Sequence, residues 1–341
     1  MISFENDYIC GAHPKVMERL LEINLEPATG YGYDKYSISA KEKIKDAIGC
    51  PDAEICFLVG GTQTNQVVCD ALLKSYEGVI APTTGHVSVH EAGAIEHGGH
   101  KVIQLEANDG KINAGQLKSC LESFYEDETH EHMVFPGMVY ITFPTESGSL
   151  YKKNELEDIY SVCKNYEIPL YIDGARLAYG LMSDECDVTM KELANLCDVF
   201  YIGGTKDGAM FGEAVVFRGV AMPKHFDAFI KQRGALLAKG KLLGIQFDTL
   251  FTDNLYFEIG RHANRLAKLM VDIFEEKGYK IAFDSPTNQQ FVLVEDDKLK
   301  ELEKKVAFSF WEKADSNHTV IRFVTSWSTT EEDVLSLRDI L

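Results

Sequence analysis

Two residues in this chain have types and spacing suited to covalent chemistry on an amine. Lys206 stands in Gly203-Gly204-Thr205-Lys206 directly after an apolar run, and Asp173 closes another apolar run about thirty residues earlier. A lysine near a cleft floor loses basicity through desolvation or a neighbouring cation and becomes a nucleophile. Taken singly, each also reads as an ordinary turn or cap residue. Arg176 follows Asp173 by three residues, so a short turn brings its guanidinium to the same place. Arg322 interrupts the apolar run Thr319–Val324, where burying a cation without an anion is costly. A guanidinium is well shaped to clamp a carboxylate, and a structural ion pair is the competing reading.

Further upstream, Gly60-Gly61-Thr62-Gln63 joins a short apolar run to a helical pattern. Glycines at such a junction let backbone amides and the positive end of a helix approach an anion. Neither G-x-G-x-x-G nor the P-loop pattern is met. Four histidines, His86, His90, His97 and His100, follow the next run. There is no HExxH and no completing set of acids, so no metal site is expected. A flat imidazole at a strand end can instead stack on an aromatic cofactor ring, while His97 and His100 read as surface or turn residues. The loop Glu26–Ser37, rich in Tyr and Gly, could line a site or form a surface turn.

The elements that position these groups are short apolar strands alternating with amphipathic helices. Runs at Ile55–Val59, Gly78–Ala81, Met138–Phe143, Pro169–Ile172 and Asp198–Ile202 predict buried strands. Six to seven strands fit before residue 217, which predicts a mainly parallel sheet with helices on both faces. In such a sheet ligands sit beyond the carboxyl ends of the strands, so Asp173 and Lys206 would face one crevice. A Schiff-base lysine with an acid for a pyridinium nitrogen is the pattern of pyridoxal phosphate (PLP) sites. Residues 222–278 read as helical and the remainder as a small α+β domain. A boundary is placed near residue 245, giving a large domain 1–245 and a small domain 246–341.

With 341 residues, 45% of them hydrophobic, the chain can fill a sizeable core. Its net charge of −19 argues against nucleic-acid binding through a broad basic surface. The first residues lack the pattern of a signal peptide and no apolar run approaches a membrane span, which predicts a cytoplasmic protein. The eight scattered cysteines are expected to be reduced, mostly in the core.

The segments Gly60–Gln66, His86–Ala94, Tyr171–Gly180 and Gly203–Val215, with Ser285-Pro286-Thr287-Asn288-Gln289-Gln290 and Ile321–Trp327, resemble the threonine aldolase and aromatic amino acid β-eliminating lyase family. The similarity runs over nearly the whole chain. It implies a fold-type I PLP-dependent, transferase-like α/β fold with a seven-stranded sheet and a small C-terminal α+β domain. It also implies that Lys206 carries PLP, Asp173 pairs with the pyridine nitrogen and His86 stacks on the ring. Gly61, Thr62 and Gln63 would hold the phosphate, with Lys241 as a further basic residue there. Arg176 and Arg322 would hold the substrate carboxylate, Asn6 stands where the family commonly has a serine, and Tyr36 falls on an active-site tyrosine. Where the family often has Asn-Thr-His, this chain reads Phe143-Pro144-Thr145-Glu146, so Glu146 takes the place of a histidine.

The implied reaction is cleavage of a β-hydroxy-α-amino acid such as L-threonine or L-allo-threonine to glycine and an aldehyde. Water, His90 or Glu146 would be the base. β-Elimination is the alternative, with aminotransfer and non-catalytic PLP binding behind it. A small amino-acid substrate and a homodimer or homotetramer are implied as partners, with no nucleic acid and no membrane.

Overall fold

The computed structural model describes all 341 residues. Seven strands build the large sheet: β1 (Glu54–Leu58), β2 (Glu77–Pro82), β3 (Val102–Leu105), β4 (Phe135–Thr142), β5 (Leu170–Asp173), β6 (Val199–Gly203) and β7 (Glu213–Phe217). They lie in the order β1-β7-β6-β5-β4-β2-β3. β7 runs antiparallel to both neighbours, and the other pairs are parallel. Every residue of β5, β6 and β7 is buried, because helices cover both faces of the sheet and leave no solvated side. That double burial is why these strands are continuous apolar runs rather than alternating ones.

β5 is in register with β4, Thr142 opposite Asp173, and β6 lies on its other side. The carboxyl ends of these strands therefore open at one edge of the sheet, and the Asp173 side chain and the loop bearing Lys206 emerge there. β1 runs into helix Gly61–Leu72, whose extended cap Gly60 supplies no side chain to the first turn. The helix starts four residues before the apolar periodicity that marks it in the sequence, so Gly61, Thr62 and Gln63 form its first turn.

Four antiparallel strands form a second sheet: β8 (Lys280–Phe283), β9 (Gln289–Glu295), β10 (Ser309–Lys313) and β11 (His318–Val324), ordered β10-β11-β9-β8. β10 was not expected from the sequence, since its exposed Phe310 and charged end hide the alternation. Helix Leu255–Glu276 joins the two layers. Its Leu266, Met270, Ile273 and Phe274 belong to the small-sheet core, while Ile259 and Ala263 join the large one. Residue 245 lies within helix Lys241–Leu250, where Gly244 is backed against Ser37 of helix Lys35–Ile48. At the other end of the chain, Ile2–Ser3 pairs with Val306–Ala307, and Phe4 packs on Phe323, so the N-terminal segment lies on the small sheet.

All eight cysteines are free thiols, with Cys69, Cys163 and Cys197 buried and Cys10 exposed. His100, expected as a surface or turn residue, is buried with Nδ1 at 3.0 Å from the Glu77 carbonyl oxygen.

Candidate active site

A cavity of about 1000 Å³ opens between the large sheet and the small one. Lys206, Asp173, Arg176, His86, His90, Gly61, Thr62, Glu146 and Arg322 all line it. Residues from six separate segments of the chain thus converge where strand topology alone would place a ligand.

Asp173 is held at the floor by a polar relay. Its Oδ2 accepts hydrogen bonds from the Tyr140 hydroxyl at 2.6 Å and from Asn65 Nδ2 at 3.1 Å, and its Oδ1 accepts from the Ala175 amide. Burial keeps the Tyr140 hydroxyl protonated, so it remains a donor. Asn65 Nδ2 also donates to Glu91 Oε1, which stands 2.8 Å from His86 Nδ1. Tyr171 donates to Asn65 Oδ1, which fixes which way the amide points. Burial opposes a charge on His86, yet the Glu91 bond with the fields of Glu146 and Asp173 outweighs it and raises the pKa. His86 is thereby oriented at the wall by Glu91, with the His90 ring centroid 5.7 Å away.

Lys206 is half-buried and its amine forms no ion pair and no hydrogen bond. Burial, and next the guanidinium of Arg176, lower its pKa, against Asp7, Glu146 and Asp173. Arg176 forms a bidentate pair with Asp7: Nε donates to Oδ2 at 2.6 Å and Nη2 to Oδ1 at 3.0 Å. Arg322 has no acidic partner. Its Nη1 donates to Gln289 Oε1 at 3.0 Å, its guanidinium lies 5.6 Å from the Trp311 ring centroid, and its buried Nε is without a partner. A largely desolvated guanidinium with an unused donor is a receptor for an anion. Glu146 turns its carboxylate into the cavity, and its charge acts on His86, Lys206, Arg176 and Arg322.

Four expected site residues lie elsewhere in this chain. Gln63 points away from the cavity, with Nε2 bonded to the Arg233 carbonyl, because its position in the first helical turn faces the segment after helix Phe226–Gln232. Asn6 uses Oδ1 to accept from the Tyr8 amide, and Tyr8 lines the cavity in its place. Tyr36 packs with Ile23 and Ile245 and donates its hydroxyl to Glu26. Lys241 caps the same corner, donating to the carbonyls of Ile23 and Glu26. Arg176, expected as an open carboxylate clamp, spends two of its nitrogens on Asp7.

Asp7, Asn65, Glu91, Tyr140, Trp311 and Glu213 were not singled out from the sequence. Asp7 carries no local signal, since its partner lies in a distant turn. Glu91 and Asn65 do sit within the quoted His86–Ala94 and Gly60–Gln66 segments, so their polar side chains beside those motifs were the available signal. Glu213 closes the lysine turn from below, accepting from the Gly204 amide at 2.9 Å and the Thr205 hydroxyl at 2.8 Å. Burial pushes its pKa up to about 7.

The residues present suit PLP. Gly60 and Gly61 offer no Cβ to obstruct the uncapped helix start, Asp173 is fixed at the floor, and an unpaired amine lines the same cavity. Residues 4–302 match the model of the Beta-eliminating lyase family. The chain belongs to that family. Among solved structures, this family member is similar to the threonine aldolase of Leishmania major, with 41% identity, a TM-score of 0.96, and cover of 100% of this chain and 98% of the other. It is 28% identical to the low specificity L-threonine aldolase of Pseudomonas aeruginosa, over 99% of this chain and 96% of that protein. The histidinol-phosphate aminotransferase of Clostridium acetobutylicum shares the fold at a TM-score of 0.75 and 13% identity. The lyase fold therefore extends to aminotransferases, a fold-type I architecture.

Proposed function

We propose that this lyase is PLP-dependent and cleaves L-threonine, L-allo-threonine or a related β-hydroxy-α-amino acid to glycine and an aldehyde. The observation that carries the reading is the unpaired amine of Lys206 lining one cavity with Asp173, in a chain similar over its whole length to a threonine aldolase. When bound, PLP supplies an electron sink conjugated to the substrate's α-carbon.

The chain's own groups divide the remaining work. The amides of Gly61 and Thr62 at the helix start are suited to the phosphate, with the helix dipole behind them. Asp173 is suited to holding a proton at the pyridine nitrogen, because Tyr140 and Asn65 fix its carboxylate. His86, oriented by Glu91, covers the ring. Arg322 receives the substrate carboxylate on its free Nε, and Glu146 takes the proton from the β-hydroxyl. His90 is exposed at the rim and serves the leaving aldehyde less well than the better enclosed Glu146.

Incubation with threonine, allo-threonine and phenylserine tests the reading. Glycine and the matching aldehyde are expected, and their absence with all three would overturn it. The family's description favours β-elimination as the second reading. Ammonia and a keto acid from a substrate with a leaving group at the β-carbon would select it instead. Lys206→Ala is expected to abolish the absorbance band that bound PLP gives the wild type.

We also infer a cytoplasmic homodimer or homotetramer. Tyr36 and Lys241 lie off their own chain's cavity, in a corner whose neighbouring Tyr31 and Tyr33 are exposed, so this corner offers a surface to a second subunit. No helix is long and apolar enough to cross a membrane. Light scattering should give a multiple of the 38.2 kDa chain mass.

A further inference from the structure

The two arginines of the cavity differ in charge balance: Arg176 is neutralised and Arg322 is not. The neutralising group, Asp7, comes from the N-terminal segment and is wholly buried. It receives three hydrogen bonds, two from Arg176 and one from Asn288 Nδ2 at 2.9 Å. Arg176 stands at the end of β5 and Asn288 at the start of β9, next to Gln289, which accepts from Arg322. One carboxylate therefore ties the lysine side of the cavity to the sheet that carries the second arginine.

We propose that Asp7 is a positioning residue that, through its ion pair with Arg176, sets the proton affinity of the Lys206 nitrogen and leaves Arg322 as the cation that selects the substrate carboxylate. This inference rests on the PLP-dependent reading above.

The charges that act on Lys206 come from every side of the pocket. Arg176 disfavours a proton on its nitrogen, while Asp7, Glu146 and Asp173 favour it. His86 and Glu213 also face it, and buried Asp207, whose carboxyl has no hydrogen-bond partner, is held protonated by burial and contributes little charge. Without Asp7, the guanidinium beside Lys206 would act at full strength, and an opposite or like charge at such range moves a pKa by roughly 1–3 units. It would also become a second open anion receptor. With Asp7 in place, the pair presents almost no net charge to an incoming anion, so the field for a carboxylate points to Arg322. The buried pair meets the desolvation cost through complete hydrogen bonding of the carboxylate.

The test is a pH titration of the absorbance of the PLP-loaded protein, which reads the proton on the Lys206 nitrogen without any turnover. Asp7→Asn keeps the shape and removes the charge, and the midpoint should fall by about one unit or more. Asp7→Glu restores the charge and should bring the midpoint back towards the wild type, even where turnover stays low. Arg176→Gln removes the opposing cation and should move the midpoint upward. In the same series, inhibition by a simple carboxylate such as acetate should strengthen in Asp7→Asn, because Arg176 is then uncompensated.

A folded, PLP-loaded Asp7→Asn protein with an unmoved or raised midpoint overturns the proposal. Should that variant fail to fold, Arg176→Gln decides in its place, an unmoved midpoint again overturning it. A wild type that never acquires the PLP band defeats the cofactor reading itself, which separates the two failures.

Discussion

Glu146 brings a carboxylate into the cavity with no hydrogen bond or ion pair of its own, an arrangement that leaves its lone pairs for a substrate proton. Glu146→Gln should therefore lower kcat by about 100-fold or more with little change in KM, the signature of lost general-base work. The PLP absorbance should stay as in the wild type. Arg322→Ala is expected to act in the other parameter, raising KM by about 10- to 100-fold as a charge-assisted hydrogen bond is lost. Steady-state kinetics on whichever substrate is cleaved separates the two. Glu213 gives a different readout. Its pKa in the fold, about 7 against an ordinary 4.5, means the folded chain keeps this proton longer than the unfolded one. Stability from this group is complete below 4.5 and is lost as pH rises through 7, at up to about 1.4 kcal/mol per unit. Melting temperatures of the PLP-free protein should fall over that window, and Glu213→Gln should flatten the fall. Lys206, Asp173 and Arg322 were legible in the sequence because each is a charged group at the end or middle of an apolar run, where it needs a reason. Asp7 was not, since an acid in a polar segment has no such cost until Arg176 is folded against it.

The turn after β5 shows how the elements hold the chemistry in place. Gly174 brings that turn so close to β6 that a methyl group built on it would overlap the Tyr201 carbonyl oxygen. Gly174→Ala should force the two strand ends apart, destabilising the protein by roughly 1–3 kcal/mol. Urea midpoints at constant slope would show it, together with weaker PLP binding, because Asp173 ends one of the strands that separate and Lys206 stands in the loop after the other. The central strands of the large sheet were readable because double burial makes them almost continuous apolar runs. β10 was not, because it is an edge strand with an exposed face, so its period-2 signal is broken by Phe310 and by Glu312 and Lys313. Trp311 went unseen with it. Gln63 was misplaced for a related reason: the helix begins at Gly61, so the fourth residue of the Gly-Gly-Thr-Gln run already faces away.

Across the molecule, the first seven residues act as a staple. Ile2–Ser3 pairs with Val306–Ala307, Phe4 packs on Phe323, and Asp7 holds both Arg176 and Asn288. Deletion of residues 1–7 should cost about 3–5 kcal/mol, since it leaves the Arg176 guanidinium buried without its acid. Calorimetry should show the loss, along with weakened docking of the small sheet. Tyr36 and Lys241 were placed at the site by resemblance alone, and in this chain both are bonded to the Ile23–Glu26 segment instead.

The Asn65 amide bridges Glu91 and Asp173 while Tyr171 dictates its orientation, so the wall histidine and the floor acid are wired to a single side chain. An evolutionary corollary follows. Replacing Asn65 by an acid would crowd three carboxylates, and replacing it by an apolar residue would take one donor from each of two. The amide is thus an inherited unit with its partners, and among relatives position 65 should drift only in step with positions 91 and 171.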